Sequence, residues 1–247
     1  MSGADVQLTD KGRDAVRRAR MLFLPLRVLV VIGLASLPAG GLNAALGHER
    51  LRIFLAALAV MIALERTGIT ADPSARSRDR ASKILLVVGS FLGFLIGVRE
   101  VATGRPLLPA LPLVDDGLVL AAGLVTWGAG LAVRQWAMRT LGRFFTDRVR
   151  IFTDHRLITE GPYRWVRHPS YAGLALVLAG APLVLGSTLA LVISVVAGGS
   201  ALAFRVRVEE AALRAAFGDQ YTRYAQRTPA LLPWPRPDGA APPPPAP

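Results

Sequence analysis

No cysteine occurs in the 247 residues, which excludes disulfides, thiolate metal sites and covalent catalysis through a thiol. Histidine is nearly absent as well: positions 48, 155 and 168 are too scattered for a zinc site, so no metal is expected. Charged residues make up only 19% of the chain, where a soluble domain carries about 25%. Lysine is confined to positions 11 and 83. No internal repeat and no Gly-rich nucleotide loop is present. What remains is apolar: 52% of residues are hydrophobic, and mean hydropathy is +0.42. The net charge of +12 would suit nucleic acid, but the arginines cluster between apolar blocks, as in the cytoplasmic loops of a membrane protein. No nucleic-acid partner is expected.

The apolar blocks set the expected architecture. Residues 21–46 are long enough for a retained helix, interrupted by Pro25 and Pro38. Further blocks cover 51–64, 84–98 and 118–138, followed by an uncharged run at 172–204. That run is too long for one straight span, which needs about 20 residues. Gly186-Ser187, with Pro182 just before, divides it into two arms of a helical hairpin. The glycines at 123, 128 and 130 read as helix-packing positions. The expected fold is all-α: a polytopic membrane bundle of five or six spans, the last two forming the hairpin. The domain reading is a cytoplasmic segment at 1–20, N-terminal membrane helices at 21–117, a core at 118–234 and a disordered Pro-rich tail at 235–247. Arginine-rich 71–83 and 139–170, and the basic stretch after 204, place both termini and the 139–170 segment in the cytoplasm. Arg50 and Arg52 fall in a loop predicted outside and break that rule.

Two polar clusters interrupt this pattern. The first is "GPYRWVRHPSY", 161–171. Pro169 suits a first helical residue with His168 as its cap, and the helix start, with Arg167, predicts an anion site at the membrane surface. Tyr163 and Trp165 offer flat faces for a base, or for lipid headgroups as in any aromatic belt. The second is "FRVRVEEAALRAAFGDQYTRYAQRTPALLPW", 204–234. Arg205 and Glu209 share a helix face four residues apart, Glu210 lies beside them, and Tyr221 and Tyr224, followed by Arg227-Thr-Pro229 and Leu232-Pro-Trp234, predict a short helix and then an extended strip.

Together these stretches, with "RQWAMRTLGRFF" at 134–145 and "DHRLITEGPYRWVRHPSYAG" at 154–173, resemble the isoprenylcysteine carboxyl methyltransferase family over roughly 134–234. The resemblance implies methyl transfer from S-adenosylmethionine at the cytoplasmic membrane face. It implies a cofactor held in a pocket between the 139–170 segment and the C-terminal helix, by His155, Arg156, Leu157, Ile158, Tyr163, His168, Pro169, Ser170, Tyr171 and Glu209. Arg148 stands where the family can place a glutamine. Arg205 is expected to face the acceptor's carboxylate, with Glu209 and Glu210 completing the catalytic set. A carboxylate with a pKa of about 3.3–3.7 is ionised at pH 7 and needs only a cation to position it. A lipid amine, near pKa about 10.4, would need Glu209 or Glu210 as a base. The favoured partner is therefore a lipid-borne or lipid-modified carboxylate entering from the bilayer between the fourth helix and the hairpin. Lipid-amine N-methylation and non-catalytic lipid or partner binding are the alternatives.

Overall fold

The computed structural model describes residues 28–29, 31–34, 36–64, 80–109, 115–142, 145 and 157–233, with backbone alone at 80–90. The N-terminal segment 1–20, Pro25, most of the 71–83 loop, Arg148, His155, Arg156 and the 235–247 tail lie outside the described residues. Every regular element among the described residues is helical.

Pro38 and the positive-φ pair Gly40-Gly41 break the first apolar block, leaving a short turn at Leu37–Ala39 and α1, Leu42–Leu46. α2 spans Glu49–Leu64 and α3 Arg80–Thr103. α4, Asp116–Leu141, starts where the Asp115 carboxylate accepts the amides of Gly117 and Leu118 at 2.9 and 3.1 Å. α5, Pro169–Leu185, begins at Pro169 and ends where Gly186 takes the left-handed conformation (φ 68°). Ser187 then caps α6, Thr188–Ile193, by accepting the Ala190 amide. A π-helical turn at Ser194–Gly198 carries α6 into α7, Gly199–Arg227, which is bent at Gly218. α4 and the continuous run Thr188–Arg227 are long and apolar enough to cross a bilayer, and α5 is a shorter apolar helix. Among the described residues the architecture is all-helical, with helices apolar enough to lie in a bilayer.

Arg50 explains its own breach of the charge rule. Its guanidinium donates to the Val184 and Asp116 carbonyls, each at 3.0 Å, and pairs with the Asp116 carboxylate. It thus joins α2, α4 and α5 at one end of the bundle, beside Gly186. At the other end the Gln135 amide donates to the Leu64 carbonyl. Between these ends the core packs Phe54 against Phe94 and Trp127, with ring centroids 5.0 and 5.3 Å apart.

α4 and α5 approach to backbone contact. A Cβ built at Gly180 would stand 2.5 Å from the Trp127 amide nitrogen, and one at Gly130 would stand 2.6 Å from the Gly173 carbonyl oxygen. Gly123 meets the Val184 amide just as closely, whereas Gly128 faces open space. Two of the three packing glycines therefore hold, and the third does not. These contacts close the α4–α5 side of the entry route expected between the fourth helix and the hairpin. Gly180→Val should cost about 1–3 kcal/mol by overpacking, because backbone rather than a flexible side chain must move. Thermal unfolding in detergent checks this, and Gly128→Val serves as the neutral control.

Candidate functional site

The loop from 157 to 168 is shaped by a few local constraints. Gly161 takes a positive φ of 58° and lies against Thr140 and Trp136 on α4. This turn drives Pro162 and Tyr163 inward, where Tyr163 and Ile158 pack on Ala137. The Tyr163 carbonyl accepts the Tyr224 hydroxyl at 2.6 Å. Burial pushes the Tyr163 phenol well above its ordinary pKa, and the Glu209 carboxylate adds to that rise. Trp165 stays half exposed with Arg164 over its ring, the geometry of an interfacial anchor.

His168 caps α5 by position and not by its side chain, which makes no capping bond. Its ring is buried, stacks on Tyr171 at 5.8 Å, and lies 4.0 Å from Glu209 through Nδ1. Nε2 is buried and faces Glu210 Oε1 at 3.4 Å, close enough for an ion pair but without a well-formed hydrogen bond.

Arg167 does not serve the anion site expected of it. Its Nε donates to Glu210 Oε1 at 3.0 Å and Nη1 to the Ala225 carbonyl at 2.8 Å, with a further bond to the Thr228 carbonyl. The main chain is tied in the same place: the amides of Arg167 and His168 donate to the Pro229 and Ala230 carbonyls at 2.8 and 2.9 Å. The cofactor-loop candidate is thus clasped to the strap that follows α7. Ser170 receives Arg134 from α4 at 2.8 Å, and the Tyr171 amide is bonded to the His168 carbonyl.

Across this loop lies the polar continuation of α7 beyond Phe204. Arg205 is buried, donates from Nε to the Tyr171 hydroxyl at 3.4 Å, and sits 5.7 Å from that ring's centroid. Glu210 accepts Arg214 at 2.9 Å as well as Arg167. The adjacent His168 imidazole and the Arg167 guanidinium hold its carboxyl down at about 2, against the opposing effect of burial.

The structure therefore gathers Tyr163, His168, Pro169, Ser170, Tyr171, Arg205, Glu209 and Glu210 at one end of the helices, with Leu157 and Ile158 in the same loop. His155 and Arg156 lie outside the described residues. Arg134 and Tyr224 were not singled out for this site by the sequence, and Arg167 was given a different role, because their partners lie 36 to 61 residues away. Among the described residues no cluster of His, Asp or Glu could hold a metal ion.

The family model for the isoprenylcysteine carboxyl methyltransferase family matches residues 123–215. Protein-S-isoprenylcysteine O-methyltransferase B of Arabidopsis thaliana is 32% identical over 64% of this chain and 80% of its own length. A probable protein-S-isoprenylcysteine O-methyltransferase of Oryza sativa subsp. indica is 32% identical over 74% of this chain and 95% of its own. A solved structure of the eukaryotic intramembrane Ras methyltransferase of that family aligns over 87% of this chain and 86% of its own, at 20% identity and a TM-score of 0.46.

Proposed function

We propose that this chain, which belongs to the isoprenylcysteine carboxyl methyltransferase family, moves a methyl group from S-adenosylmethionine to the carboxylate of an isoprenylcysteine-type acceptor. The observation that carries this beyond family membership is the convergence of a buried guanidinium, Arg205, with the 163–171 loop at the end of the apolar run.

The residues present fit the cofactor. The buried His168 nitrogen, which makes no hydrogen bond, offers a polar contact, Glu209 suits a cationic group and Tyr163 suits a base. Leu157, Ile158, Tyr163, His168, Pro169, Ser170, Tyr171 and Glu209 would hold it, with His155 and Arg156 assigned by resemblance. S-adenosylmethionine supplies a methyl group already activated by positive sulfur. The protein's task is alignment and exclusion of water. Arg205 would orient the acceptor's carboxylate, which is ionised at neutral pH and needs no base.

We assign Glu210 to positioning instead of proton transfer. A carboxyl held at about 2 is a poor base at neutral pH, and both its oxygens are engaged by arginines. That leaves Glu209 as the remaining base for the lipid-amine alternative. The pairing of Leu178 with Gly198, and of Tyr171 with Arg205, supports reading the last two apolar helices as a hairpin. A hairpin returns α7 to the face that carries the 163–171 loop, and the basic loops make that face cytoplasmic.

Calorimetric titration of S-adenosylhomocysteine into detergent-purified protein tests the reading. The expected result is micromolar binding, at least roughly tenfold weaker in His168→Ala, which loses no capping bond. Well-folded protein without binding would sink the proposal and return 161–171 to an interfacial anchor.

A further inference from the structure

The Tyr163 carbonyl is not served by its own turn. The amides placed to close a turn on it, of Val166, Arg167 and His168, donate instead to the Pro162, Pro229 and Ala230 carbonyls. Its hydrogen bond comes from Tyr224, 61 residues away, whose hydroxyl donates at 2.6 Å in a buried contact. Tyr163 and Tyr224 are only 7% and 8% exposed, so bulk water is a poor substitute for either partner.

The two segments fix each other. Tyr224 stands in the last turn of α7, past the bend at Gly218, with the Tyr221 ring edge-on at 6.0 Å. A helix end leaves carbonyls without intrahelical donors, and Arg167 of the loop serves those of Ala225 and Thr228. Arg167 is itself anchored on Glu210. The loop therefore holds the helix end by a guanidinium, and the helix end holds the loop by a phenol. Residue 224 lies beyond the match to the family model, which ends at 215.

The bond from Tyr224 fixes the peptide unit that follows Tyr163, and with it the direction in which the Tyr163 ring leaves the backbone. That ring packs on Ala137 and Ile158, and its phenol feels Glu209, Tyr171 and Arg134. It thus borders the cluster assigned to the methyl donor, where its flat face suits a base. A stacking surface binds well only when it is held close to its productive orientation.

We propose that Tyr224 is a positioning residue for the methyl donor: acting through the Tyr163 carbonyl, its hydroxyl sets the ring on which the adenine packs. The inference rests on the methyl-transfer reading above, and it extends the donor site beyond the matched core. In this role Tyr224 touches neither substrate.

The test compares wild type with Tyr224→Phe, which deletes one oxygen and keeps the buried ring, and with Tyr163→Leu, which keeps apolar packing and removes the flat face. Calorimetry in detergent measures S-adenosylhomocysteine and 5′-methylthioadenosine, which shares the adenosine and lacks the amino-acid half. Tyr224→Phe should weaken both ligands by the same factor, roughly five- to tenfold, the range of one hydrogen bond. In a Tyr163→Leu background the same substitution should cost no further affinity, a non-additivity that general loosening of the fold would not produce. In turnover, KM for S-adenosylmethionine should rise more than kcat falls, while KM for the acceptor holds. An equal loss in the Tyr163→Leu background, a loss confined to S-adenosylhomocysteine, or no loss at all would overturn the inference and leave the methyltransferase reading intact. Unchanged 5′-methylthioadenosine affinity in Tyr163→Leu alone would do the same, because the ring would then not carry the base. A wild type that binds neither ligand would end the methyl-transfer reading and the inference together.

Discussion

Arg167→Ala should destabilise the folded protein by about 3–5 kcal/mol, the usual cost of leaving one member of a buried ion pair alone. The Arg167 and Glu210 side chains are only 12% and 11% exposed, so solvent does little to soften the loss. Glu210 would keep Arg214, which is half exposed and a weaker partner. The Ala225 carbonyl in the last turn of α7 and the Thr228 carbonyl just beyond it would lose their donor in the same substitution. Denaturant or thermal unfolding in detergent reads the effect, and a double-mutant cycle with Glu210→Gln isolates the pair. A loss below about 1 kcal/mol would mean that the pair behaves as an exposed surface bridge.

Arg205→Ala should lower turnover by about 10²–10³, the scale for removing a preorganised group that stabilises or positions charge in a water-excluded site. S-adenosylhomocysteine affinity should hold, because the donor-side contacts are assigned to the 157–171 loop and Glu209. Arg205→Lys should recover only part of the rate, since an ammonium cannot reproduce the planar fork that meets a carboxylate. Arg205 also packs on the Tyr171 ring, so an unfolding curve accompanies the kinetics. Parallel loss of turnover and S-adenosylhomocysteine binding would move Arg205 to the donor side. Normal turnover would remove it from the site altogether.

The helices were legible because their signals are local. The 118–138 block became Asp116–Leu141, Pro169 opened its helix with His168 at the cap, and Gly186-Ser187 ended one helix and began the next. The short helix expected near Tyr221 proved to be the end of α7 past the bend at Gly218. Arginine destinations were not legible. The sequence places Arg50 and Arg167 near water and Arg134 within the 118–138 block, but each finds its carbonyl, hydroxyl or carboxylate on a segment brought alongside only by folding. Gly123 and Gly128 look alike in the sequence, and only the facing helix makes one indispensable and leaves the other free. The π turn holds no proline, only the Gly198-Gly199 pair at its close.

The strap that pairs Pro229 and Ala230 with the backbone of Arg167 and His168 also orders events during synthesis. Translation delivers the chain N-terminus first at about 5–20 residues per second, so the helices up to α6 can insert and pack before these acceptors exist. The amides at 167 and 168 then wait for residues more than sixty positions downstream to leave the ribosome. Until that happens, a nascent chain already threaded into the bilayer has an unfinished pocket. On the proposed reading, competence to bind the methyl donor would come late, once the strap beyond α7 folds back and pairs with the loop.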